Sequence, residues 1–200
     1  MFTGLTATTA TLVKLEKKNR PVLTIRAALD KPLAVGDSLA VDGVCLTVIE
    51  RKNDLLRFNL AAPTLRLSNL QDKPVGSPLN IELPLTPNGF LGGHMVSGHI
   101  DGTVRVRAID KGDRNSRFIF SFREREWSKF LVERGSVCLN GVSLTIVEKR
   151  ESWFAVEIIP HTLAATNLRL LRVGQRVNIE LDLIGKYLYN LYQTKKGRIR

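Results

Sequence analysis

Cysteine is nearly missing from this chain, which has two in 200 residues, and nothing at its start leads a basic segment into an apolar run. A disulfide framework is therefore not expected, and a reducing cytosol is the expected compartment. Long hydrophobic runs are missing as well. No stretch approaches the roughly 20 apolar residues of a membrane span, so no membrane role is expected. Aromatic residues are sparse at 6%, and Phe58, Phe118, Phe120 and Phe122 sit in alternating, core-like positions. That leaves little for the exposed stacking surface that single-stranded nucleic acid requires. Acidic residues are outnumbered, 19 against 30 basic, for a net charge of +11. The basic residues are scattered, apart from the tail "KKGRIR" (Lys195 to Arg200). A scattered excess describes a solvated surface better than a nucleic-acid footprint, so no nucleic-acid partner is expected.

What the chain does have is a repeat. Gly43 opens "GVCLTV" and Gly141 opens "GVSLTI", 98 residues later. The same offset matches "TLRLSNL" (Thr64 to Leu70) with "TLAATNL" (Thr162 to Leu168), and "VGSPLNIEL" (Val75 to Leu83) with "VGQRVNIEL" (Val173 to Leu181). A looser pair, "FTG" (Phe2 to Gly4) and "VSG" (Val96 to Gly98), is offset by 94. Matches in one order and one register mark a duplicated domain. Each copy reads as β. "DSLAVDG", "VCLTVIE", "LLRFNLA" and "LNIEL" alternate apolar with polar residues, as do "TVRVRAI", "RFIFSF", "WFAVEII" and "VNIEL". Asp42-Gly43 and Asn140-Gly141 are hairpin-turn dipeptides. Short strands at close spacing suggest a small closed barrel, which leaves no open sheet edge. One helix candidate per copy precedes the hexapeptide, in the second copy "EREWSKFLVE" with Trp127, Phe130 and Leu131 on one face.

The Pro- and Gly-rich link "PLTPNGFLGGH" marks the boundary between the copies. After the second copy the period changes. Ile184, Tyr187, Leu188 and Leu191 fall at helical spacing, predicting an amphipathic helix with no counterpart between the barrels. Its apolar face must pack on its own barrel or meet copies of itself. The expected division is a barrel over 1–86, a joint over 87–97, a second barrel over 98–182, and a helix with a basic tail over 183–200.

The opening "MFTG", the twin "G-V-[CS]-L-T", the paired "TL…NL", the joint "GGHMVSGHIDG" and the closing "VNIELDLIGKY" together resemble the riboflavin synthase family, from Met1 to about Tyr187. "GGHMVSGH" is the most specific of these pieces. The expected fold is all-β: two tandem, duplicated, Greek-key-like six-stranded β-barrels plus a C-terminal α-helix. The resemblance implies a homotrimer held largely by the C-terminal helices, with each active site between neighbouring subunits. It implies that two molecules of 6,7-dimethyl-8-ribityllumazine become riboflavin and 5-amino-6-(D-ribitylamino)uracil by transfer of a four-carbon unit, without metal or organic cofactor. A reaction between two copies of one compound suits two copies of one binding barrel. Non-catalytic relatives that bind lumazine or flavin as an optical antenna are the alternative, although this chain keeps the "SGH" histidine and the C-L-T pattern that such proteins tend to lose.

The chemistry needs a proton taken from a methyl group, the anion stabilised and the second ring held close. His99 in "SGH" matches the family's active-site histidine and is a residue type that moves protons near neutrality, or is simply a hydrogen-bonded strand residue. His94 either orients the joint or touches substrate. By resemblance Ser143 lies at the productive site with Thr145 beside it, while Cys45 and Thr47 make the matching contacts on the other substrate. The bland alternatives are a buried cysteine acting as a small hydrophobe and threonines chosen for β propensity. Arg134 stands where many members carry Lys and keeps the positive charge.

For substrate binding, the resemblance points to Gly4, Leu5 and Thr6 at the start, to Ser38, and to Leu46 beside Thr47. It points also to the strand ends Asn59, Leu60, Ala61, Ala62, Pro63 and Thr64, and Glu157, Ile158, Ile159, Pro160, His161 and Thr162, each read as followed by a turn. Pro63 and His161 stand where a Glu is common. Gly98, Ile100, Leu144 and Asp182 complete the set, Asp182 being equally a helix N-cap.

Overall fold

The computed structural model describes residues 1–6, 8–17, 20–29, 33–112 and 114–197, with side chains up to Lys195. The end of the basic tail, Arg198 to Arg200, lies outside the described residues.

Alternation in the sequence becomes strands. The first copy forms β1 (Thr8–Glu16), β2 (Val22–Arg26), β3 (Ser38–Val41), β4 (Val44–Lys52), β5 (Leu55–Asn59) and β6 (Pro78–Glu82). The second forms β7 (Gly102–Lys111), β8 (Ser116–Ser121), β9 (Ser136–Leu139), β10 (Val142–Lys149), β11 (Trp153–Ile158) and β12 (Arg176–Leu181). Each set closes into a six-stranded antiparallel barrel. The order is β1-β2-β5-β4-β3-β6 in the first, and the equivalent strands keep that order in the second. The two barrels bulge at matching places, Leu12/Lys14 and Val48/Glu50 in one, Val106/Ala108 and Ile146/Glu148 in the other. Such bulges bend strands sharply enough to close a small barrel.

In β4, Val44, Leu46 and Val48 point into the first core, which leaves Cys45 and Thr47 on the outer face. In β10, Val142, Leu144 and Ile146 point into the second core and leave Ser143 and Thr145 outside. Hydrophobic alternation thus aims the third and fifth letters of both hexapeptides away from the cores. The preceding turns need left-handed backbone at two successive residues, and Asp42-Gly43 (φ 45 and 78) and Asn140-Gly141 (φ 46 and 79) supply it.

The barrels meet through buried amides. The Asn69 backbone N–H donates to Asn178 Oδ1 (2.6 Å), and the Asn167 backbone N–H donates to Asn80 Oδ1 (2.7 Å). The Asn80 amide donates to the Asn140 carbonyl (2.9 Å), and the Asn178 amide to the Asp42 carbonyl (2.8 Å). The repeated "NL" and "NIEL" segments are therefore reciprocal halves of one interface. Satisfied polar groups of this kind fix one arrangement, because sliding the barrels would strand them.

Two local expectations change. "EREWSKFLVE" is a 3-10 turn over Arg125–Lys129, not an α-helix. The strand ends at Asn59 and Ile158 lead into short helices, α1 (Ala62–Leu67) and α2 (Pro160–Ala165), each with Pro in its first turn. The terminal helix, α3 (Leu183–Gly197), forms as expected. Tyr189 packs edge-on against Phe130 of its own barrel, whereas Ile184, Tyr187, Leu188 and Leu191 stay exposed. No helix among the described residues is long and apolar enough to cross a membrane.

Candidate functional site

The first turn of each hexapeptide strand has one edge without a strand partner. β10 pairs with β9 from Val142 to Thr145, but with β11 only from Ile146 onward. β4 is alike, pairing with β3 from Val44 and with β5 from Val48. Two short segments fill these edges by crossing between the barrels. The Ser143 N–H donates to the Gly4 carbonyl (2.8 Å), and the Cys45 N–H donates to the Gly98 carbonyl (2.8 Å). The segments also pair with each other, Phe2 bridging Val96 antiparallel, over a small core of Phe2, Ala40, Val96 and Cys138. Burial pushes the Cys138 thiol well up, and it is an inert packing residue.

Only glycine fits where the segments cross. A Cβ on Gly4 would lie 2.6 Å from the Cβ of Ser143, and one on Gly98 would lie 2.5 Å from the Cβ of Cys45. Both have φ near +80, at +77 and +81, which L side chains rarely adopt.

A carboxylate holds each segment. Glu82, at the end of β6, accepts from the Thr3 N–H (2.7 Å), the Thr3 hydroxyl (2.7 Å) and the Gly4 N–H (3.0 Å). Glu180 in β12 repeats this with the Ser97 N–H (2.7 Å), the Ser97 hydroxyl (2.7 Å) and the Gly98 N–H (2.9 Å). Burial pushes the Glu82 carboxyl above its ordinary value, and the donors from Thr3 and Gly4 partly oppose that.

Beyond the exchange of Cys45 for Ser143, the two sites differ in a histidine contact. His94 Nδ1 lies 2.7 Å from Ser143 Oγ, while its backbone N–H donates to the Thr3 carbonyl (3.1 Å). Burial pushes this imidazole below its ordinary value, against the charges of Asp182 and Glu180, which pull it up. A neutral imidazole can accept from the Ser143 hydroxyl, the arrangement of a base beside an activated hydroxyl. Among the described residues no histidine hydrogen-bonds Cys45.

The other sequence-expected residues are distributed as follows. His99 is exposed just beyond Gly98, its backbone N–H on Ser97 Oγ (3.1 Å). Thr47 and Thr145 are exposed on the outer strand face, and Ser38 stands opposite Thr47 in register. Leu46 and Leu144 are buried in the two cores. Ile100 packs against the first barrel's core although it leads into the second, and the Thr6 hydroxyl reaches the Gly141 carbonyl (3.4 Å) in the opposite sense. Leu5 is exposed. Arg134 is exposed at a left-handed turn (φ 65), its N–H on the Ile146 carbonyl.

Asn59, Ala61, Ala62 and Pro63 are exposed around half-buried Thr64, and Glu157, Ile159, Pro160 and His161 around half-buried Thr162; Leu60 and Ile158 turn inward. Asp182 Oδ1 accepts from the Ile184 N–H (2.9 Å), which caps α3, and its charge also reaches His94. Glu82, Glu180 and the contact of His94 with Ser143 were not foreseen. The one available signal was a Glu repeated at matching places in the two "NIEL" strands.

A family model described as "Lumazine binding domain" matches residues 3–84 and again residues 97–182. The riboflavin synthase of Bacillus amyloliquefaciens is 38% identical over 201 residues, covering 99% of this chain and 93% of that protein. That of Escherichia coli (strain K12) is 36% identical over 185 residues, covering 91% and 87%. In fold the chain is similar to the crystal structure of LumP complexed with 6,7-dimethyl-8-(1'-D-ribityl) lumazine. There the TM-score is 0.82 at 21% identity, over 90% of this chain and 99% of that one. Matched twice by one domain model and aligned nearly end to end with these enzymes, the chain belongs to the riboflavin synthase family of lumazine-binding-domain proteins.

Proposed function

We propose that this chain is a riboflavin synthase. It takes two molecules of 6,7-dimethyl-8-ribityllumazine, moves a four-carbon unit from one to the other, and releases riboflavin and 5-amino-6-(D-ribitylamino)uracil. The atoms of two substrates equal those of the two products, so no oxidant, metal or organic cofactor enters the balance. The observation that carries this reading is the pair of equivalent but unlike sites. Each barrel offers the outer face of a hexapeptide under a glycine crossing, yet Ser143 has an imidazole against its hydroxyl and Cys45 does not. One compound can thereby meet two chemistries.

His94, held neutral by burial, is fitted to take the methyl proton directly or through Ser143. His99, Thr145 and Arg134, exposed on the single chain, suit an active site that a neighbouring subunit closes. Cys45 and Thr47 would hold the second ring in the same way. The ring and ribityl chain would run along Gly4–Thr6, Ser38, the two strand ends and Gly98–Ile100. Three copies assemble through the exposed residues of α3, and the protein works in the cytosol. The working units are the barrels of 1–86 and 98–182, with the joint 87–97 between them and 183–200 for assembly.

The test is to add 6,7-dimethyl-8-ribityllumazine to purified protein and follow both compounds by chromatography. One riboflavin per two lumazines consumed supports the reading. Tight binding without conversion contradicts it and marks a carrier or antenna.

A further inference from the structure

We propose that Glu82 is a positioning residue for the Ser143–His94 pair, acting across the barrel boundary through Thr3 and Gly4. Its kinetic consequence rests on the riboflavin synthase reading; its structural consequence does not.

Ser143 and His94 both hang on the first residues of the chain. The Gly4 carbonyl holds the Ser143 N–H, and the Thr3 carbonyl holds the His94 N–H. Phe2 is anchored by its bridge to Val96, and the next two residues, Thr3 and Gly4, are held by one carboxylate. Glu82 Oε1 takes both the N–H and the hydroxyl of Thr3, and Oε2 takes the N–H of Gly4. Hydrogen bonds to an ionised acceptor are the stronger kind, and three donors converge on it. Glu82 belongs to the first barrel, whereas the pair it steadies includes a strand of the second, so a group that touches neither Ser143 nor His94 sets where both sit. Glu180 is the internal control, because it makes the same three bonds to the segment that covers Cys45 instead.

Glu82→Gln puts a donor where one of the two acceptor oxygens stood, facing N–H groups. Amide hydrogen exchange then reads the two crossings separately in the full chain. The expected result is exchange at Ser143 accelerated at least about tenfold in Glu82→Gln with Cys45 nearly unchanged, and the reverse in Glu180→Gln. A merely structural role would raise exchange at both amides together. Thr3→Val removes one donor, leaves the carboxylate, and gives the same pattern at smaller size should Glu82→Gln fail to fold. In lumazine turnover, kcat of Glu82→Gln falls at least about tenfold, since a misplacement near 1 Å can cost about a hundredfold. Equal acceleration at Ser143 and Cys45, or none at Ser143, overturns the proposal. A wild-type protein that converts no lumazine overturns the riboflavin synthase reading instead, and the exchange pattern still decides the role of Glu82.

Discussion

Ser143 Oγ lies 2.7 Å from His94 Nδ1, a hydrogen bond between a strand of the second barrel and the joint that leads into it. The imidazole is held below its ordinary 6.5 by burial, with Asp182 and Glu180 pulling it partway back. The neutral form therefore persists to lower pH than for a free histidine. The acid limb of kcat/KM attributable to His94 should fall below pH 6.5. Asp182→Asn removes a charge that raises the pKa, so the limb should move to still lower pH. Asn also caps helices well, which leaves the start of α3 intact. Imidazole titration by NMR, alongside the pH–rate profile, checks the direction; a shift to higher pH would sink this account of the site.

The glycine crossings predict a second result. Gly4→Ala must accommodate a Cβ 2.6 Å from that of Ser143, at a φ of +77. It should lower stability by about 1–3 kcal/mol and displace the Ser143 backbone. Gly98→Ala should do the same at Cys45. Denaturant unfolding gives the first quantity and amide chemical shifts locate the second.

The two halves of the interface solve one problem in two ways. Asp42 is fully buried and its Oδ2 sits 3.0 Å from Lys73 Nζ, whereas the equivalent positions are Asn140 and Leu171. The Asn140 amide donates to Asn167 Oδ1 (3.4 Å), but the matching acceptor, Asn69 Oδ1, has no donor among the described residues, Asp42 having none to give. Asp42 Oδ2 also lacks a well-aligned hydrogen bond, so the ammonium holds it by charge. Lys73→Met should cost about 3–5 kcal/mol by leaving a buried carboxylate unpaired. The double change Asp42→Asn with Lys73→Leu copies the second barrel's solution and should recover most of that loss. A thermodynamic cycle in denaturant measures the coupling.

Assembly offers a fourth test. Leu188 and Leu191 are each 62% exposed on α3, although Tyr189 on the same helix is packed. Leu188→Glu with Leu191→Glu should leave the barrels folded and turn the proposed trimer into monomers, read by light scattering with size exclusion. Lumazine turnover should fall with it, because the proposed site is shared between subunits. A monomeric wild-type protein with full turnover would contradict the shared site.

Much of this fold was legible because duplication wrote it twice. A single "GVCLTV" is an ordinary strand; two at one offset are a site repeated, and the alternation within them already turned Cys45 and Ser143 outward. The strands β1 and β2 were harder, since "TTATLVKLE" and "VLTIR" have no clean echo in the second copy. The short helices hid behind Pro63 and Pro160, which read as turns but stand in a first helical turn. The site was legible in membership more than in wiring. His94 and His99 stand five residues apart in one motif, and which of them meets Ser143 depends on where Thr3 and Gly4 lie. Glu82 fixes that placement from 79 residues away, and no local pattern encodes it.

Lumazine turnover by wild type, His94→Gln and His99→Gln, with lumazine binding measured in parallel, tests whether the proton moves at the proposed Ser143–His94 pair. With the proton moving there, His94→Gln loses about 10²–10⁴ in rate and keeps its lumazine, with a smaller loss in His99→Gln. Unchanged turnover in His94→Gln, with the loss confined to His99→Gln, would contradict it.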